Sequence, residues 1–410
     1  MNFNSKAFNA LKISEFRNYT LARLFITLGT QMQAVIVGWQ IYQITKDPFS
    51  LGLIGLAEAI PSILTALISG HIVDTSDRKK ILMSSFILMF FCSSSLLFIS
   101  TDIVSFVTDY KVISIYSIIF ISGIARGFSM PSAFALLGQI IPKDLYPNAI
   151  SWNTTTWQIG AVAGPAIGGL MYGYFGVTIS YISVVSMAFI AILLISTISK
   201  KTVPDITGGN TLKERLSAGI KFVFANKIIL SAMSLDMFAV LFGGAVAMLP
   251  VYAGEILSAG AEGLGMLRAA PSVGAVLMAL FLTHKPPTSN AGRNLLLCVA
   301  GFGLCIIGFG LSHSFILSLL LLALSGMFDS VSVVIRQTII QLKTPENMKG
   351  RVSAVNSIFI GSSNEIGAFE SGLAAKIMGV VPSVIFGGLM TLVVVTVVFF
   401  ASPSLRKLKL

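Results

Sequence analysis

Eight ionisable side chains stand inside long apolar runs: Glu58, Arg126, Asp236, Arg268, Asp329, Arg336, Glu365 and Glu370. A charge at the centre of a bilayer costs about 2.5 to 3.5 kcal/mol even on a lenient insertion scale, so such groups are ordinarily paired or functional. The chemistry open to them is proton transfer and ion pairing. A low dielectric favours the neutral form of a carboxyl group and a nearby guanidinium favours the charged form, so separating such a pair can move a proton. Asp329 and Arg336 fall two turns apart on one helix face. The same residues also fit structural ion pairs that hold helices together. Gln31, Gln33, Trp39 and Gln40 in the first run, with Trp152 and Trp157 in the fifth, add polar and aromatic groups suited to an amphipathic cargo. A tryptophan near a membrane interface serves equally as a belt anchor.

The elements that must hold these groups are membrane helices. The 410 residues are 55% hydrophobic and only 11% charged, with mean hydropathy +0.86, against roughly 25% charged for a soluble domain. Apolar stretches long enough to cross a bilayer recur along the chain. They predict helices over 17–45, 51–76, 80–100, 111–139, 145–174, 177–199, 228–256, 262–283, 293–312, 314–343, 348–378 and 381–401. The expected fold is an all-α polytopic membrane protein of twelve transmembrane helices. No small-residue cleavage pattern follows the first run, so helix one is expected to be retained.

The formal charge of +11 reflects where the basic residues fall. Nearly all loop lysines and arginines lie in alternate loops, with only Lys46 and Lys111 on the opposite side, which places both termini in the cytoplasm. The longest connection contains Pro204, Gly208, Gly209 and the stretch Lys213, Glu214, Arg215. It divides the chain into an N-terminal six-helix bundle over 1–199, a cytoplasmic linker over 200–227 and a C-terminal six-helix bundle over 228–410.

The halves repeat one another. Tyr42, Gly55, Ala59, Pro61 and Ser62 recur at one constant offset as Tyr252, Gly265, Ala269, Pro271 and Ser272. Gly123, Pro142, Asn153, Gly164 and Gly169 recur at a second offset as Gly326, Pro345, Asn356, Gly367 and Gly372. By these offsets Arg126 matches Asp329 and Glu58 matches Arg268, so opposite charges occupy equivalent places. Duplicated parallel halves imply a substrate site near the bilayer midplane.

Several segments carry a family resemblance. Gly70-His71-Ile72-Val73-Asp74-Thr75-Ser76-Asp77-Arg78-Lys79-Lys80 resembles the G-x-L-A-D-r-x-G-r-K loop signature of the major facilitator superfamily, with Asp77 where glycine is commonest. The resemblance implies that Gly70, Asp74, Arg78 and Lys79 form a gating motif that latches the cytoplasmic face, the carboxylate capping a helix and the basic residues pairing with acids. Gly160-Ala161-Val162-Ala163-Gly164-Pro165-Ala166-Ile167-Gly168-Gly169 resembles the G-x-x-x-G-P-x-x-G-G motif of drug and proton antiporters. Glycines four apart line one helix face and allow close backbone approach, which ordinary tight packing would also use. Glu15-Phe16-Arg17, Gly350-Arg351-Val352-Ser353-Ala354-Val355-Asn356 and the stretch from Asn364 to Gly372 are similar to the enterobactin-exporter-like branch, whose members export siderophores or drugs. In this superfamily the first and fourth helices of each half line the cavity, which would place Arg126, Asp236, Asp329 and Arg336 on or near it. Ile121 to Gly127 loosely resembles the helix-four arginine motif linked to proton coupling.

The resemblance implies two pseudo-symmetric six-helix bundles and alternating access, with proton-coupled export of a small amphipathic molecule such as a siderophore or drug. Uptake by the same fold, or a channel, is the alternative. Proton-coupling candidates are Asp329, Asp236, Arg126, Arg336, Glu365 and Glu370. Cavity candidates are Gln31, Gln33, Trp39, Gln40, Glu58, Trp157 and Arg268. The sequence holds no H-E-x-x-H, G-x-S-x-G or P-loop pattern, so no enzyme is expected. Cys92, Cys298 and Cys305 lie in apolar runs and, with three scattered histidines, form no metal-ligand spacing. The expectation is a monomer in a bacterial inner membrane, with no cofactor, no metal and no nucleic acid, driven by the proton gradient.

Overall fold

A chain that meets hydrocarbon along most of its length must satisfy its backbone internally, and helices do so within one segment. The computed structural model describes residues 8–101, 110–201, 212–284, 290–345 and 348–409, where no strand occurs. Of the residues singled out above, Pro204, Gly208 and Gly209 lie outside these ranges, as do the side chains of His71, Asp74, Lys213, Glu214, Arg215 and Ala354.

The long helices, in chain order, are α1 Ser14–Thr45, α2 Pro48–Thr75, α3 Arg78–Ser100, α4 Lys111–Ile140, α5 Tyr146–Ser196, α6 Leu212–Ala225, α7 Lys227–Phe242, α8 Gly260–His284, α9 Ala291–Leu311, α10 Phe315–Lys343, α11 Lys349–Met378 and α12 Val380–Ala401. Ten stretches among the described residues are long and apolar enough to cross a membrane. One of them, Lys143–Ser196, has 54 residues, roughly 80 Å if straight, against a hydrocarbon core of ~30 Å. It breaks at Gly176, whose φ of 78° suits glycine. Before the break, Gly160, Gly164 and Gly168 meet Thr27, Gln31 and Met32 in rising order. After it, Tyr181 reaches Gln40 and Ser199 reaches Glu15, in falling order. The chain therefore reverses at Gly176, and α5 is two passes. Helix α11, 30 residues long, is long enough for a further pass, which is consistent with twelve.

The chain clusters into two compact units, Met1–Gln40 with Ile60–Gly209 and Ile41–Ala59 with Asn210–Leu410. The end of α1 and the start of α2 thus group with the second unit. The first unit packs Phe16, Tyr19, Leu82, Phe86, Leu136 and Ala191 into one apolar core. The second packs Leu235, Leu295, Val299, Ile335, Ile339 and Leu405.

Two elements depart from the pattern read in the sequence. The connection after the sixth pass holds a helix, α6, whose fully buried Val223 packs against Ile229, Met233, Ile340, Val352 and Val355. The seventh pass is not one helix over 228–256. It stops at Gly243, continues through a short 3-10 turn at Ala245–Met248 and ends in a π-helical turn at Tyr252–Ile256. Consecutive Gly243 and Gly244 lower helix propensity at the break. Phe242 O crowds the place where a side chain on Gly387 would begin, so the freed backbone is packed by protein.

The duplication reappears in the backbone. Gly176 and Gly379 are separated by the second repeat offset and both have positive φ, 78° and 90°. A methyl on Gly164 would lie 2.6 Å from Gln31 Cβ, and one on Gly367 would lie 2.6 Å from Leu241 O. Gln31 and Leu241 stand at the first repeat offset, so the same helix contact is built in each unit.

Candidate functional site

In the first unit, the glycine motif of the fifth pass is a packing strip. Added methyls at Gly160, Gly164 and Gly168 would lie 2.6, 2.6 and 2.9 Å from Thr27, Gln31 and Met32. Pro165 and Gly169 are buried beside them. Gln33 accepts a hydrogen bond from Ser93 Oγ at 2.7 Å, and Gln40 accepts one from Tyr181 OH at 2.7 Å. Both amides are engaged inside the unit, and Trp39 is buried with them. Gln31 is half-buried, whereas Trp157 is 45% exposed.

The loop signature organises one end of the same unit. Asp77 caps α3 by accepting from Lys80 N at 3.2 Å. Lys79 Nζ donates to Ser196 O at 2.9 Å and also to Ile198 O, carbonyls at the end of α5, where a cation suits the helix dipole. Arg78 Nη1 donates to Ala135 O at 3.5 Å. Among the described residues these basic groups bond to carbonyls, not to the acids that the resemblance implied. Gly70 has open space around it. Glu15 joins this end through Ser199 N at 2.9 Å and Lys201 at 2.5 Å.

In the second unit the charges converge. Arg336 on α10 forms an ion pair with Asp236 on α7, and both are buried. Arg336 therefore does not pair with Asp329 on its own helix, which makes no hydrogen bond or ion pair among the described residues. Asp236 and Asp329 line a cavity of about 10 Å³ with Ala239, Val240, Cys298, Val299, Phe302, Phe328 and Ser332. Glu365 and Glu370 on α11 and Arg268 on α8 are half-buried, as is Glu58 on α2, and Arg126 on α4 is exposed. Glu58, Arg126, Arg268 and Glu365 each have interactions of their own.

Two features were not legible as site residues. Ser332 stands in the cavity wall, but serines are too common in this chain to signal. Tyr42 donates to Glu255 within the second unit. The recurrence of Tyr42 as Tyr252 was visible, but its partner was not.

The profile of the family described as transmembrane secretion effector matches residues 5–409. The chain is 25% identical over 394 residues to the enterobactin exporter EntS of Shigella boydii serotype 18, covering 96% of this chain and 93% of that one. It is 24% identical over the same length to EntS of Escherichia coli O81, with the same coverage. Among solved structures, a bacterial homolog of the human lysosomal transporter Spinster aligns with a TM-score of 0.77 at 13% identity, over 99% of each chain. A D-xylose–proton symporter aligns with 0.75 at 14% identity, over 97% of this chain and 99% of that one. These two show the shared fold. The chain is an integral membrane transporter that belongs to the transmembrane secretion effector family of the major facilitator superfamily.

Proposed function

We propose that this transporter exports a small amphipathic organic molecule of the siderophore or drug type, by alternating access driven by a proton gradient. Residues 1–199 and 228–410 act as its two halves and 200–227 as a cytoplasmic linker, in a monomer of the bacterial inner membrane. The observation that carries the coupling is Asp329, a carboxyl group without a fixed partner beside an Asp236–Arg336 pair that is already satisfied. Asp236 is held by its guanidinium. Asp329 is left able to take and release a proton as water access to it changes. Cargo class and direction are supported by the exporter relatives, which match 96% of this chain, and by the glycine strip of the fifth pass. Gln31, Trp157, Glu58 and Arg268 remain the groups assigned to cargo, whereas the engaged Gln33 and Gln40 serve the fold.

The test is accumulation of a catecholate siderophore by everted membrane vesicles, with and without an acid interior. Wild type is expected to accumulate it only with the gradient, and Asp329→Asn to lose that dependence. Wild-type transport indifferent to the gradient would remove the coupling, and gradient-driven loss of cargo from everted vesicles would indicate uptake.

A further inference from the structure

We propose that the chamber between α7, α9 and α10 is a monovalent-cation site that takes Na+ on Asp329, Asp236 and Ser332. This rests on the reading of Asp329 given above. The donors are hard oxygens: the carboxylates of Asp236 and Asp329 and the hydroxyl of Ser332. Ser332 is 2% exposed and its Oγ has no hydrogen-bond partner. Other helical serines behave differently. Ser85, Ser117 and Ser180 each donate to the carbonyl one turn back. A buried hydroxyl left without a partner is destabilising, and an ion in the chamber would engage it.

Packing alone does not require these charges. The first unit holds a cavity of the same size, about 10 Å³, lined by Ile26, Gly29, Thr30, Met89 and others. At the first repeat offset these four correspond to Asp236, Ala239, Val240 and Val299 of the second cavity. Ile26 stands where the second unit has Asp236, and Ala133 stands where it has Arg336. The lining of the first cavity contains no ionisable residue, and Arg126, the counterpart of Asp329, is not part of it, so the charged lining is a specialisation of the second unit.

Charge and size choose the ligand. Two carboxylates and one guanidinium sum to one negative charge, which a monovalent cation neutralises and a divalent one overshoots. A volume of about 10 Å³ admits one water-sized particle, which leaves no room for the hydrated shell that Mg2+ keeps, and the three oxygen-bearing side chains of the wall fall short of the six to eight oxygens that Ca2+ takes. The titratable or charged groups facing Asp329 are Asp236 from α7, Cys298 from α9 and Arg336 from α10. Of the helices packed around, α8 carries Arg268, and α11 carries Glu365 and Glu370.

The experiment is binding of radiolabelled Na+ to purified full-length protein in detergent, at alkaline pH with K+ as the background cation. Saturable binding is expected. Asp329→Asn should abolish it. Ser332→Ala should weaken it about five- to tenfold, the loss of one polar contact, while Ser129→Ala, the equivalent position in the first unit, should leave it unchanged. Monodispersity on size exclusion checks that the variants fold. No saturable Na+ binding in a protein that still exports on a pH gradient overturns the cation site and leaves the proton reading standing. Binding untouched by Asp329→Asn also overturns it. Na+ binding as expected with gradient-independent export overturns the proton reading instead.

Discussion

Arg336 closes its ion pair with Asp236 across α10 and α7, although Asp329 lies two turns away on its own helix. Breaking a buried pair from one side leaves an uncompensated charge, at a cost of about 3–5 kcal/mol, whereas replacing both partners is far milder. Arg336→Met should therefore lower the thermal stability of the purified protein well below that of the double variant Asp236→Leu/Arg336→Met. Thermal unfolding in detergent measures both, and the reverse order would show that the pair does not hold α7 to α10.

The glycines of the two motifs should respond in opposite ways. A methyl at Gly164 meets Gln31 Cβ at 2.6 Å, so Gly164→Ala must push α5 from α1, a destabilisation of about 1–3 kcal/mol. At Gly70 nothing lies within 4 Å, and alanine in a helix is favoured over glycine by about 0.5–1 kcal/mol. Unfolding midpoints of the two variants against wild type decide it.

Tyr42 donates to Glu255, and both residues belong to the second unit. A hydrogen bond to a charged acceptor contributes about 1.5–3 kcal/mol, so Tyr42→Phe should cost about that much. Adding Tyr42→Phe to Glu255→Gln should cost less than Tyr42→Phe alone. A double-mutant cycle on unfolding free energy reads the coupling, and additive effects would mean that the contact does not act as a pair.

Topology has a direct measurement. Lys46 and Lys409 are both exposed, and the distribution of basic residues puts them on opposite sides of the membrane. In intact cells an impermeant maleimide should label Lys46→Cys and spare Lys409→Cys until the membrane is permeabilised. Leu405, four residues before Lys409, is fully buried and would not serve as a reporter.

The passes were legible because lipid demands long apolar helices, and the repeat was legible because duplicated helix contacts keep their glycines. Gly164 against Gln31 and Gly367 against Leu241 are the same contact made twice. The break at Gly243 was hidden for a related reason. A glycine inside an apolar run reads as close packing whether or not the helix continues through it. The pairing of Arg336 was hidden because spacing along one helix says which residues share a face, while the rotation and depth of the neighbouring helix decide which of them meets Asp236. Ser332 has no such pattern in the sequence, and only the fold brings its unbonded hydroxyl into one cavity wall with two carboxylates.

The turn at Gly176 joins two membrane passes through one left-handed residue, and Gly379 marks the matching place in the second half. Such a junction offers no loop for a protease to grip, no room for an inserted epitope and little for an antibody to see. Tags and fusion partners for this transporter therefore belong elsewhere, because lengthening either junction would separate passes that a single residue now holds together.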